Sequence, residues 1–70
     1  MKTEEMLTGV TNGLRVRVYS EPDVNSEIVC KLRYLTELMI DVVNSTDDFY
    51  KVYTIMGLEG FCQKDLIVIK

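Results

Sequence analysis

The chain has no histidine and no tryptophan, one proline, two cysteines and four glycines among its 70 residues. Each shortage excludes something. Without histidine, the commonest general base and the commonest metal ligand are missing. Cys30 and Cys62 are too few for a disulfide framework, and neither belongs to a Cys-x-x-Cys pair that would hold zinc. They are expected to be two reduced, half-buried small side chains, with a late disulfide left open if they face each other across two strands. A cysteine nucleophile needs a base, and none stands close in sequence to either thiol. No catalytic residue is therefore expected.

Long apolar runs are also lacking; nothing approaches the roughly 20 residues of a membrane span. The opening Met1-Lys2-Thr3-Glu4-Glu5-Met6 has no basic stretch followed by an apolar one, so no secretion signal is read there. The expectation is a complete small gene product made in the cytoplasm, reaching the outside only by lysis or inside a particle. Basic charge is scarce as well: eight Lys and Arg stand against eleven Asp and Glu, a net charge of −3. Only Arg15 and Arg17 cluster. Phosphate neutralisation supplies most of the affinity of nucleic-acid binders, so neither nucleic acid nor an anionic membrane is an expected partner. No metal or cofactor is expected. Asn44, Asp47 and Asp48 lack the spacing and terminal Glu of a calcium loop, and Gly57-x-x-Gly60 lacks the Lys-Ser/Thr and helix start of a phosphate loop.

What is present is alternation. Leu14-Arg15-Val16-Arg17-Val18 follows the Asn12-Gly13 turn signal with period 2, so Leu14, Val16 and Val18 should face inward. Ser20 to Ser26, with Pro22, reads as a loop. A second strand is expected over Glu27–Arg33, with Ile28, Cys30 and Leu32 on one face and Lys31 and Arg33 on the other. Tyr34-Leu35-Thr36 is a turn. A third strand covers Glu37–Val43 with Leu38, Ile40 and Val42 inward. A polar loop, Asn44 to Asp48, leads to a fourth strand, Phe49–Ile55. A tight turn at Gly57–Gly60 precedes a short strand at Phe61-Cys62. One 3₁₀ turn over Gln63–Asp65 and a closing strand, Leu66–Ile69, complete the chain. Breakers every 8 to 12 residues and abundant β-branched residues argue against helices. Strands at this spacing in so short a chain fit an all-β fold, a small barrel of about five to seven short antiparallel strands. Residues 1–8 are expected to be a tail and 9–70 the domain. Truncating Val52 or Ile40 to Ala should cost about 2–4 kcal/mol.

Five segments in order resemble a known family. Leu14-Arg15-Val16-Arg17 with Ser20-Glu21-Pro22 is similar to a Leu-Asn-Val-Arg…Pro opening. Ser26-Glu27-Ile28-Val29 with Leu32 resembles a second strand, and Phe49-Tyr50-Lys51-Val52 a Trp-Tyr-x-Val strand. Gly57-Leu58-Glu59-Gly60-Phe61-Cys62 resembles a Gly-x-x-Gly-aromatic-Val segment, and Leu66 a closing Tyr-Leu. The family is the bacterial SH3-like (SH3b) domain, and the likeness spans about Gly9 to Ile69. Departures are Arg15 in place of Asn, two extra residues (Val18 and Tyr19), the missing Gly at Tyr34-Leu35-Thr36, and Phe49 and Phe61 at Trp positions.

The resemblance implies a binding module with an aromatic groove beside the first long loop, suited to extended peptides. By alternation, Tyr50 and Val52 share the core face, and Phe49 and Tyr53 share the other face with Lys51. Tyr19, Phe49, Tyr53 and Phe61 are the candidate partner-binding residues. Tyr19→Ala is expected to leave the fold intact and weaken binding. Three readings of function stay open. The first is a small assembly or decoration subunit, of the kind carried in many copies on a virion and held by protein–protein contacts. The second is a module that targets peptidoglycan of the cell wall. The third is a regulator that docks an extended peptide. A shallow groove binds weakly alone, and display in many copies would multiply its affinity.

Overall fold

Alternating residues become a single antiparallel sheet in the computed structural model, which describes residues 6–70. Its strands are β1 (Met6–Thr11), β2 (Arg15–Tyr19), β3 (Ile28–Arg33), β4 (Glu37–Asp41), β5 (Phe49–Thr54), β6 (Glu59–Gln63) and β7 (Ile67–Ile69), with a 3₁₀ turn at Lys64–Leu66. The order across the sheet is β3-β2-β6-β5-β4-β1-β7. The fold is thus all-β, with seven short antiparallel strands, consistent with a small SH3-like barrel.

Inward residues of five strands form one core: Val16 and Val18, Leu38 and Ile40, Val52, Cys62, and Ile67. Cys30, Leu32, Tyr50 and Leu66 pack against it. Curling brings the end of β3 back to the end of β1. Buried Thr11 makes that junction: its Oγ1 donates to the Arg33 carbonyl at 2.5 Å and accepts from the Thr36 amide at 2.8 Å. Among the described residues no buried side-chain nitrogen or oxygen lacks a partner.

The structure differs from the sequence reading at the ends of strands. β1 starts at Met6, so the expected boundary between a tail and a domain at Gly9 falls inside a strand. Met6, Leu7 and Thr8 pair with Asp41, Ile40 and Met39 of β4; residues 1–5 lie outside the described range. Gly9, inside β1, marks a close approach, because a Cβ there would stand 2.8 Å from Ile40 Cδ1 and 2.9 Å from Ile67 Cγ2. Leu14 precedes β2 and is exposed rather than inward. Ile28 is exposed because the β2–β3 register shifts between Val18 and Tyr19, passing over Val29. Val42 is exposed because β4 ends at Asp41, which turns inward instead. The Asp41 carboxylate accepts from the Asn44 side chain at 2.8 Å and the Asn44 amide at 3.3 Å, and its carbonyl accepts from Ser45 Oγ at 2.8 Å. A buried carboxylate that accepts a hydrogen bond on each oxygen is tolerated, and here it fixes the following turn.

Candidate functional site

The four aromatic candidates gather on the outer face of the sheet. Tyr19 of β2 pairs with Phe61 of β6, and Phe61 pairs with Lys51 of β5, which gives one cross-strand row. Phe49 and Tyr53 stand two residues either side of Lys51 and share its face by the period of the strand. The expected grouping of Phe49, Lys51 and Tyr53 is what the register produces.

Two of the four are nevertheless packed away, while Tyr53 and Phe61 stay half-buried. The Tyr19 and Phe49 rings meet edge to face, with centroids 6.3 Å apart at 81°. Tyr19 is 3% exposed and Phe49 8%. The Lys51 ammonium lies 4.9 Å from the Phe61 ring centre and 5.8 Å from that of Tyr53, and it reaches Glu59 at 3.4 Å. Aromatic faces covered by a cation that is itself ion-paired form a second, outer layer of packing. The four rings do not share one groove: Tyr19 and Tyr53 border separate shallow concavities, and Phe49 borders a third. Tyr19 in particular is a packing residue, so the expectation that Tyr19→Ala leaves the fold intact is replaced by a loss of stability.

An opening does exist beside the first long loop, at the edge of this layer. Pro22, Asp23 and Val24 form one wall of a cleft of about 590 Å³, Asp47, Asp48 and Phe49 another, and Gln63, Lys64 and Asp65 the third. Phe49 is the only aromatic lining it. The walls are held locally. Asp23 Oδ1 accepts from the Asn25 amide at 2.8 Å, Ser26 Oγ donates to the Asp23 carbonyl at 2.7 Å, and the Lys64 amide donates to the Asp48 carbonyl at 3.0 Å. Lys64 is drawn over the Tyr50 ring, 5.1 Å from its centre. Its charge therefore leaves the carboxylates of Asp23, Asp47, Asp48 and Asp65 without an ion pair among the described residues. No trio of His, Cys, Asp or Glu among the described residues is arranged to hold a metal ion.

A second surface was invisible to composition. The tip of the β5–β6 hairpin, Ile55-Met56-Gly57-Leu58, carries apolar side chains into solvent, with Ile55 85% and Met56 81% exposed. Turn tips are usually polar, so this one stands apart. It is also well built. The Gly57 amide donates to the Thr54 carbonyl at 3.0 Å and the Thr54 amide to the Leu58 carbonyl at 2.8 Å. Thr54 Oγ1 accepts from the amides of Met56 and Leu58 at 3.3 and 3.2 Å. Gly57 takes φ +88°, which a side chain would resist. The signal available in the sequence was three apolar residues around a turn glycine.

Burial keeps both thiols in the protonated form. Burial, with the charge of nearby Cys30 adding to it, pushes the Cys62 thiol up to about 12. Burial also raises the Cys30 thiol. Both cysteines are free. A suppressed thiolate is a poor nucleophile and a poor metal ligand. No helix among the described residues is long and apolar enough to cross a membrane. In comparisons with known proteins, no family model, no curated protein and no solved structure matches the chain.

Proposed function

We propose that the protein is a non-catalytic binding module acting as a small assembly subunit, held to a partner protein by the β5–β6 hairpin tip. The observation that carries this reading is the ordered, apolar Ile55–Leu58 turn, exposed at the end of a hairpin whose backbone is tied by Thr54. Burying an Ile or Met side chain yields about 1.5–3 kcal/mol each, and a preformed turn loses little entropy on docking. The suppressed Cys62 thiolate and the lack of histidine support a non-catalytic role. The likeness to SH3b domains in residues 9–69 supports the same class. A partner of many-copy type, such as a virion, would make weak single contacts sufficient.

Attachment to peptidoglycan is the second reading. It is favoured by the position of the cleft beside the first long loop, where the resembled family would place its groove, and by carboxylates suited to the amines of wall peptides. Its aromatic basis is weak, since only Phe49 reaches the cleft.

The test is co-sedimentation with purified Gram-positive cell walls and, in parallel, recovery of the chain in large particles from the producing cells. The assembly reading expects recovery in particles, lost on Ile55→Ser with Met56→Ser while circular dichroism stays unchanged, and no wall binding. Saturable wall binding that survives the tip substitutions sinks it in favour of the second reading.

A further inference from the structure

β2 and β3 set Arg15 opposite Arg33 and Arg17 opposite Lys31. All four side chains are exposed on one face of the ladder. Like charges placed directly opposite repel, and a monomer would gain by having a carboxylate at one member of each pair. None is there. The ion pairs among the described residues are Lys51–Glu59 and Lys70–Glu37, which touch none of the four. Blunting of an edge strand accounts for Lys31 and Arg33, because β3 is the end of the sheet. Arg15 and Arg17 lie beyond the one β2–β6 pair, Tyr19 with Phe61, so edge blunting accounts for their charge but not for their placement directly opposite Arg33 and Lys31. The basic face is also continuous with shallow concavities lined by Arg15, Arg17, Tyr19, Lys31, Gln63 and Leu66 on one side, and by Leu14 and Arg33 on the other.

Gln63 also lines the acidic cleft. The cations of β2–β3 and the carboxylates of Asp23, Asp47, Asp48 and Asp65 therefore lie side by side, flanking one residue. Adjacent patches of opposite sign are self-complementary under a two-fold axis, the commonest symmetry of soluble oligomers. An axis near Gln63 lays each copy's acids on the other's bases. A long polyanion on the basic face would instead run beside those carboxylates. The net charge of −3 opposes approach only weakly, since screening acts over about 8 Å at physiological salt and the local patches decide at contact.

We infer that two copies of the chain form a two-fold dimer, in which the Arg15–Arg17–Lys31–Arg33 face of each docks against the Asp23–Asp47–Asp48–Asp65 cleft of the other. This goes beyond the assembly reading and does not use the hairpin tip. Arg17 shares a concavity with Gln63, and Asp48 precedes Phe49, which pairs with Gln63, so Arg17 of one copy meets Asp48 of the other.

Sedimentation velocity of the whole chain, over a range of protein and salt concentrations, tests this. The expected result is a dimer at low salt that dissociates as salt rises. Arg17→Glu and Asp48→Arg each weaken it by roughly tenfold or more. Mixing the two single variants restores a dimer, because both contacts are then again between opposite charges. Circular dichroism and thermal melting verify that each variant folds, and the salt titration needs no variant. A wild-type chain that stays monomeric at every salt, including one retained on a polyanion such as heparin, overturns the inference. So does a dimer indifferent to salt, or a mixture of variants that stays monomeric. Loss of particle recovery on the tip substitutions with the dimer intact would separate this surface from the proposed function.

Discussion

Leu35 sits in the left-handed region at φ 61°, the one non-glycine residue among those described to do so. The turn is fixed there from outside. Leu35 donates its amide to the Thr11 carbonyl at 3.0 Å, and Thr11 in turn donates to the Thr36 carbonyl at 3.0 Å. The resembled family carries Gly at this turn, and the absence of Gly has a conformational cost that a side chain meets and glycine does not. Leu35 is exposed, so little packing is lost on its removal. Leu35→Gly is expected to raise stability by about 0.5–1 kcal/mol in chemical denaturation, the relief of strain exceeding the added chain entropy. Leu35→Ala, which keeps a Cβ, should bring no such gain. A drop in stability for the glycine variant would show that the turn is not strained.

Cys62 gives a second prediction at this scale. Its thiol is held well above the ordinary 9.0, near 12, by burial first and by Cys30 second. The folded state therefore favours the protonated form. That preference contributes nothing to the pH dependence below about pH 9, where both states are protonated. Above it the unfolded chain ionises first, and stability falls as pH rises toward 12, by up to roughly 1.4 kcal/mol per unit. Denaturation of the wild type and Cys62→Ala from pH 8 to 11 should show a difference that shrinks as pH rises. A constant difference would mean that the thiol ionises freely in the fold.

At the scale of elements, the outer aromatic layer decides how much of the site was legible. Period-2 reading placed Phe49, Lys51 and Tyr53 on one face, whereas Tyr19, expected in the first long loop, is the last residue of β2. The shared face follows from backbone geometry alone. Whether a ring on that face is open or covered depends on which strands become neighbours and on where long side chains lie down. Nothing in the local sequence indicates that Phe49 meets Tyr19 or that Lys51 covers Phe61. The same limit explains Asp41 and Val42, since the strand ends where a side chain captures the next turn. The consequence is measurable: Tyr19→Ala should cost about 3 kcal/mol, comparable to a core truncation, because it removes a buried ring and uncovers Phe49. A variant with wild-type stability in urea would return Tyr19 to the role of an accessible contact residue.

At the scale of the whole molecule, net charge hides the arrangement. A formal −3 spread over 70 residues describes a mildly acidic surface, yet the topology separates the signs. β2 and β3 meet through an antiparallel ladder that doubles the basic pattern of each strand, Arg15 against Arg33 and Arg17 against Lys31. The two loops and the 3₁₀ turn at one end of the sheet collect the aspartates. Such a division is unfavourable within one chain and favourable between two, so one substitution should move two measurements in opposite directions. Arg17→Glu turns a repelling cross-strand pair into an attracting one. At high dilution, where the chain is monomeric, it should raise stability by a few tenths to about 1 kcal/mol. At high concentration and low salt, the same variant should self-associate less than the wild type. A gain in stability with association unchanged would make the basic face a matter of solubility; loss of both would mean that Arg17 is held by contacts within its own chain. The opposed pair of outcomes is what a surface complementary to itself, rather than to solvent, requires.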